Sequence, residues 1–143
     1  GLFGAGIYLT PQPEYAAGYA TGVIKTPSQQ VEEETEEFVL LLCAVCVGSV
    51  YPITREKNYA EGANVCEFSG RILHPECDAH HALVERSTDW QAARVDSPLQ
   101  HHFEEVVVSH ESQVLPIAKV IVKVDKKQLC RHRDTRKKKH PSS

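Results

Sequence analysis

Residues 38–50, FVLLLCAVCVGSV, are the most apolar stretch of the chain. Both sets of alternating positions are hydrophobic, so a strand here has two apolar faces, which predicts a central strand covered on both sides that forms the core. The stretch is thirteen residues long, short of the roughly 18 uninterrupted apolar residues of a membrane helix. No other segment comes closer, so no membrane contact is expected. The N-terminus has neither the basic start nor the small-residue cleavage site of a secretory signal. Five cysteines, an odd number, read as reduced thiols rather than a disulfide framework. These features together predict an intracellular protein of the nucleus or cytoplasm. An abrupt start at Gly1 and the lack of methionine suggest a domain cut from something longer.

Around that segment the pattern is mixed. Residues 7–10 read as a short strand, and Pro11 and Pro13 then place a helix start, because proline is tolerated only in a first helical turn. The helix is predicted over residues 14–20, with Tyr15 and Tyr19 four apart on one face. Residues 22–37 hold turn chemistry and then Glu32, Glu33, Glu34, Glu36 and Glu37, a self-repelling run that predicts an exposed loop. Between 51 and 100, Pro52, Gly62, Gly70, Pro75 and Pro98 break any long element, with a brief strand predicted at 82–84. Residues 104–109 (EEVVVS) and 114–124 (VLPIAKVIVKV) are β-branched and alternating, which predicts two strands joined by a tight turn.

The net charge of -3 conceals an uneven distribution. From Lys126 to Ser143 there are eight Lys or Arg against Asp134 alone, while the body carries the other eight bases and eighteen acids. A basic tail running from Lys126 to Lys139 suits a nucleic acid or an import receptor, or is a solvated disordered segment. The division expected is therefore a domain over 1–125 and a basic tail over 126–143.

Phe3-Gly4-Ala5-Gly6-Ile7-Tyr8 places two glycines where the backbone can approach a ligand, followed by a strand presenting a tyrosine ring. A second tyrosine, Tyr19, follows eleven residues after Tyr8. Further on stand Val45 to Gly48 with Val50-Tyr51, then Asp78-Ala79-His80-His81, then Glu105 ahead of three valines, with Gln113-Val114-Leu115-Pro116 eight residues beyond. In this order the segments resemble the catalytic domain of the poly(ADP-ribose) polymerase family, over about residues 1–124. The resemblance implies an α+β fold of the ADP-ribosyltransferase kind, with two packed, mainly antiparallel sheets, few helices, and its first strands upstream of Gly1.

It also implies a function: transfer of ADP-ribose from NAD to an acceptor protein, or to a growing ADP-ribose chain, with release of nicotinamide. By resemblance Tyr8 and Tyr19 sandwich the nicotinamide ring, Gly4 and Gly6 line the NAD site, and Glu105 and Tyr8 belong to the catalytic set. A carboxylate suits this chemistry because breaking the nicotinamide bond leaves positive charge on the ribose. Glu104, pointing to the other face of the strand, is expected to be a solvated neighbour. The family's His-Gly pair would lie upstream of Gly1, and Ala16 stands where the family commonly has a serine that bonds the nicotinamide amide. The alternative function is a catalytically silent module that binds NAD, ADP-ribose or a protein.

Other signals are weaker. Cys43 and Cys46 read as buried core thiols, since strand residues three apart face opposite ways. Cys66, His74, Cys77, His80 and His81 are ligand types for zinc, but their spacing matches no standard finger, so no metal is predicted. His101 and His102 read as loop surface, and Trp90 as packing at the core edge.

Overall fold

The computed structural model describes residues 1–20, 35–85, 91–96 and 102–125. Ile7–Leu9 (β1) leads into the helix Pro13–Ala20 (α1), and the chain continues through Thr35–Val45 (β2), Val50–Ile53 (β3) and the single turn Arg55–Asn58 (α2). Ala79–Glu85 (β4), His102–Val108 (β5), a 3-10 turn at Glu111–Gln113 and Val114–Asp125 (β6) complete it. The strands form a four-stranded sheet in the order β1-β5-β4-β3 and a two-stranded ribbon of β2 and β6. All pairings are antiparallel except that of β3 with β4. The class is α+β with few helices and two mostly antiparallel sheets, as expected.

The core corrects one expectation. Its buried members are Phe3, Ile53, Cys66, Leu73, Ala82, Val84, Ala92 and Val107, so it lies on the four-stranded sheet and against the residues that follow α2. None belongs to the β2-β6 ribbon. The apolar segment at 38–50 does form a strand, yet Val39, Leu41 and Leu42 are 45, 64 and 56 % exposed, and Leu115 and Ile117 on β6 are exposed with them. Apolar alternation reports that a strand can be covered, and these positions of the ribbon have no second layer over them among the described residues. Phe38, nearer the start of the strand, is buried. Cys43 is half-buried and Cys46 exposed, so these two are not the buried pair expected.

Three further differences have simple causes. The predicted loop at 22–37 falls largely outside the described residues, but β2 already begins at Thr35, and Glu37 is neutralised across the ribbon by Lys123 at 3.4 Å. Strands β5 and β6 are joined by a short turn as expected, but they belong to different sheets. The region after residue 50 holds β3 and α2, each only four residues long. Pro52 is accommodated because β3 is an edge strand, where a missing N–H removes no ladder bond. Thr54 caps α2 by accepting a bond from the Lys57 N–H at 3.3 Å. Residues 86–90, including Trp90, residue 101 and the basic tail at 126–143 lie outside the described residues.

One side chain joins the two sheets. Gln113 Nε2 donates to the Cys46 and Asp78 carbonyls, each at 3.1 Å, while its Oε1 accepts the His110 N–H at 3.0 Å. Asp78 in turn accepts the Ser49 N–H and hydroxyl, both at 2.8 Å. Segments far apart in sequence thus meet at one corner.

The exposure pattern makes a direct test possible. Chemical denaturation should show Phe3→Ala costing about 3–5 kcal/mol, as for a fully buried aromatic. Leu41→Ser should cost within about 1 kcal/mol, as for a surface site.

Candidate functional site

Glu105 lies on β5, the strand that pairs with β1, receives the tyrosines of α1 and packs against the glycine turn at Val108. The turn is shaped by contacts to the protein itself. Gly4 has φ of +129°, a left-handed conformation that disfavours a side chain, and a Cβ at Gly6 would collide with the Val108 carbonyl oxygen of β5. Tyr8 closes the turn, its hydroxyl accepting the Phe3 N–H and donating to the Gly4 carbonyl, both at 2.8 Å. Burial is the largest reason that the Tyr8 phenol is pushed up to about 12.

Beneath the turn stands His80, fully buried. Its Nδ1 lies 2.7 Å from the Phe3 carbonyl and its Nε2 accepts the His74 N–H at 2.8 Å. Those partners require a proton on Nδ1 and none on Nε2, the neutral ring. Burial lowers its pKa accordingly. His80 therefore holds the glycine turn and is not free to ligate a metal. Among the described residues no three His, Cys, Asp or Glu side chains are grouped to hold an ion.

Helix α1 is registered on β5 at three consecutive residues. Tyr15 stacks on Phe103 with ring centroids 4.3 Å apart and planes 14° from parallel. Gln12 Oε1, at the helix start, accepts the Glu104 N–H at 2.7 Å. The Tyr15 hydroxyl donates a short bond to Glu105 Oε1, and the Tyr19 hydroxyl lies 3.2 Å from the same oxygen. The spacing of four in the helix brings both phenols to one carboxylate, and the two hydroxyls are themselves 3.2 Å apart.

Glu105 is 5 % exposed. Its pKa is raised, chiefly by burial and in spite of the two tyrosine bonds, which favour the charged form. Both of those bonds fall on Oε1. Glu104 points to the opposite face, as strand alternation predicts, and its Oε2 lies 3.2 Å from His81 Nε2. Glu105 rather than Glu104 is the buried carboxylate.

Of the sequence-predicted residues, Gly4, Gly6 and Tyr8 form the turn beside β5, and Tyr19 and Glu105 are joined through a hydroxyl. Tyr19 is 53 % exposed and meets Tyr15 edge-on, with centroids 5.4 Å apart. Tyr15 was missed. Its spacing to Tyr19 was visible, but its bond spans 90 residues and depends on how α1 sits on β5. An open cleft of about 460 Å³ lined by Arg55, Glu56, Tyr59, Asn64 and Arg94 lies at α2, apart from this cluster. The buried carboxylate and its tyrosines are the better candidate because they combine a perturbed acid with converging polar groups. No helix among the described residues is long and apolar enough to cross a membrane.

Comparison with known proteins returned no match: no family model, no curated protein and no solved structure is significantly similar to the chain.

The site predicts opposing pH effects on stability. Glu105 has a folded pKa raised above its ordinary 4.5, so the folded state holds the extra proton and stability falls as pH rises through that window. His80 has a folded pKa lowered from 6.5, so its contribution is lost as pH falls below that value. Thermal melts of Glu105→Gln should give a Tm above that of the unaltered protein at pH 8. The gap should close as pH approaches 4.5, the ordinary value for Glu105, while the His80-dependent loss persists in both proteins.

Proposed function

We propose that this domain is an ADP-ribosyltransferase, transferring ADP-ribose from NAD to an acceptor protein or ADP-ribose chain with release of nicotinamide. The observation that carries the reading is the buried Glu105 carboxylate, held on one oxygen by two tyrosine hydroxyls, on the same strand against which the glycine turn packs at Val108. On this reading the nicotinamide lies between the rings of Tyr8 and Tyr19, and the half-exposed Tyr19 offers a stacking face. Glu105 Oε2 takes a ribose hydroxyl while the negative charge stabilises the cationic ribose as the nicotinamide bond breaks. Nicotinamide leaves with the bonding electron pair, and the acceptor nucleophile attacks the ribose carbon. NAD is a co-substrate, and the reaction on this reading uses no metal.

Glu105 acts as an anion here, so activity is lost as pH falls through its raised pKa. Ala16, which has no hydroxyl to offer the nicotinamide amide, favours a second reading, a silent module that binds NAD or ADP-ribose.

Nicotinamide release from NAD separates the two. The first reading expects turnover that Glu105→Gln lowers by roughly 10²- to 10³-fold, the scale of losing one charge-stabilising group. Turnover unchanged in Glu105→Gln contradicts it. ADP-ribose binding by a protein that releases no nicotinamide supports the second.

A further inference from the structure

We propose that Tyr15 is the positioning residue for Glu105: it fixes the carboxylate through Oε1 and leaves Tyr19 as the exchangeable partner that a ligand can displace. The inference rests on the transferase reading for its kinetic consequences and on geometry alone for the placement of the carboxylate.

The two tyrosines share an oxygen but not an environment. Tyr15 is 3 % exposed and clamped face to face on Phe103, whereas Tyr19 is 53 % exposed. Phe103 and Glu105 stand two apart on β5 and face the same way, so the strand that carries the carboxylate also carries the ring that orients its donor. Gln12 fixes the helix start on the intervening Glu104 N–H at 2.7 Å. Helix and strand are therefore held in register at 103, 104 and 105 in turn. A glutamate side chain has three rotatable bonds, and a rigid buried donor at one oxygen removes much of that freedom before any substrate arrives.

Tyr19 is differently placed. Its hydroxyl lies 3.2 Å from Glu105 Oε1 and 3.2 Å from the Tyr15 oxygen. With the Tyr15 proton on Oε1, the single Tyr19 proton serves either acceptor, so Tyr19 can turn toward a ligand without leaving the carboxylate unpaired. Among the described residues the other titratable groups that feel Glu105 are phenols, Tyr8 on β1 and Tyr59 after α2, with Cys66 acting on both and Arg55 on Tyr59. Neither Tyr8 nor Tyr59 is a hydrogen-bond donor to it among the described residues. The charged form of Glu105 is favoured first by Tyr15 and then by Tyr19, against burial.

The test compares Tyr15→Phe, Tyr19→Phe and Glu105→Gln. Phenylalanine at 15 keeps the stack on Phe103 and removes only the hydroxyl. Nicotinamide release should show kcat lower by roughly 10- to 100-fold in Tyr15→Phe, the worth of one hydrogen bond to a charged group, with little change in KM for NAD. The acid limb of its pH profile should move to higher pH. Tyr19→Phe should move that limb the same way by less. Carbon-13 NMR of the Glu105 carboxyl, which needs no turnover, should give a titration midpoint raised further in Tyr15→Phe than in Tyr19→Phe. An unmoved midpoint in a folded Tyr15→Phe protein overturns the positioning role. Full turnover in Glu105→Gln with the expected midpoint shift overturns the transferase reading and leaves the positioning role standing.

Discussion

The architecture turns on keeping one carboxylate out of water. Glu105 sits on the face of β5 that receives α1, and the helix meets it with two phenol hydroxyls rather than with a cation. Burial of an ionised carboxyl is costly unless donors replace the lost water, and two phenols replace it only in part. The raised pKa is the residue of that imbalance. An enzyme that must hold a negative charge beside a developing positive one tolerates this cost, because the same poorly solvated environment strengthens the attraction in the transition state.

The surroundings of Glu105 follow from the requirement to place α1 accurately. Pro13 opens the helix at its first turn, where a missing N–H costs nothing, and Gln12 anchors that turn to β5. Gly6 lets β1 lie close against β5, and Tyr8 then returns its hydroxyl to the glycine turn that precedes it. His80 supports the same turn from below through the Phe3 carbonyl. The buried histidine, which as a residue type could suggest a ligand or a base, is used here as a neutral strut. The ribbon of β2 and β6 is tied to this assembly at the corner held by Gln113.

What the sequence revealed followed the reach of local rules. Helix α1, the strands β5 and β6, and the choice of Glu105 over Glu104 all follow from spacings of two or four residues. The short β3 and α2 were hidden because four residues carry too little periodicity to be read. The apolar run in β2 was legible as a strand but not as part of a ribbon with uncovered positions, because alternation says nothing of what lies above it. The acidic run was read as loop throughout, although the partner of Glu37, Lys123, lies on β6 far along the chain. Tyr15 and His80 escaped for the same reason. Each draws its role from a contact with a residue many positions away, 90 for Tyr15 and 77 for His80.

On the proposed transferase reading, the glycine turn, Tyr19 and Glu105 form one ligand-binding site for the nicotinamide end of NAD. Titrating the protein with nicotinamide while following its amide and aromatic NMR signals tests this most directly. The account predicts shifts concentrated at Gly4, Gly6, Tyr8, Tyr19 and Glu105. Shifts confined to the cleft of Arg55 and Arg94, or no saturable shifts at all, would contradict it.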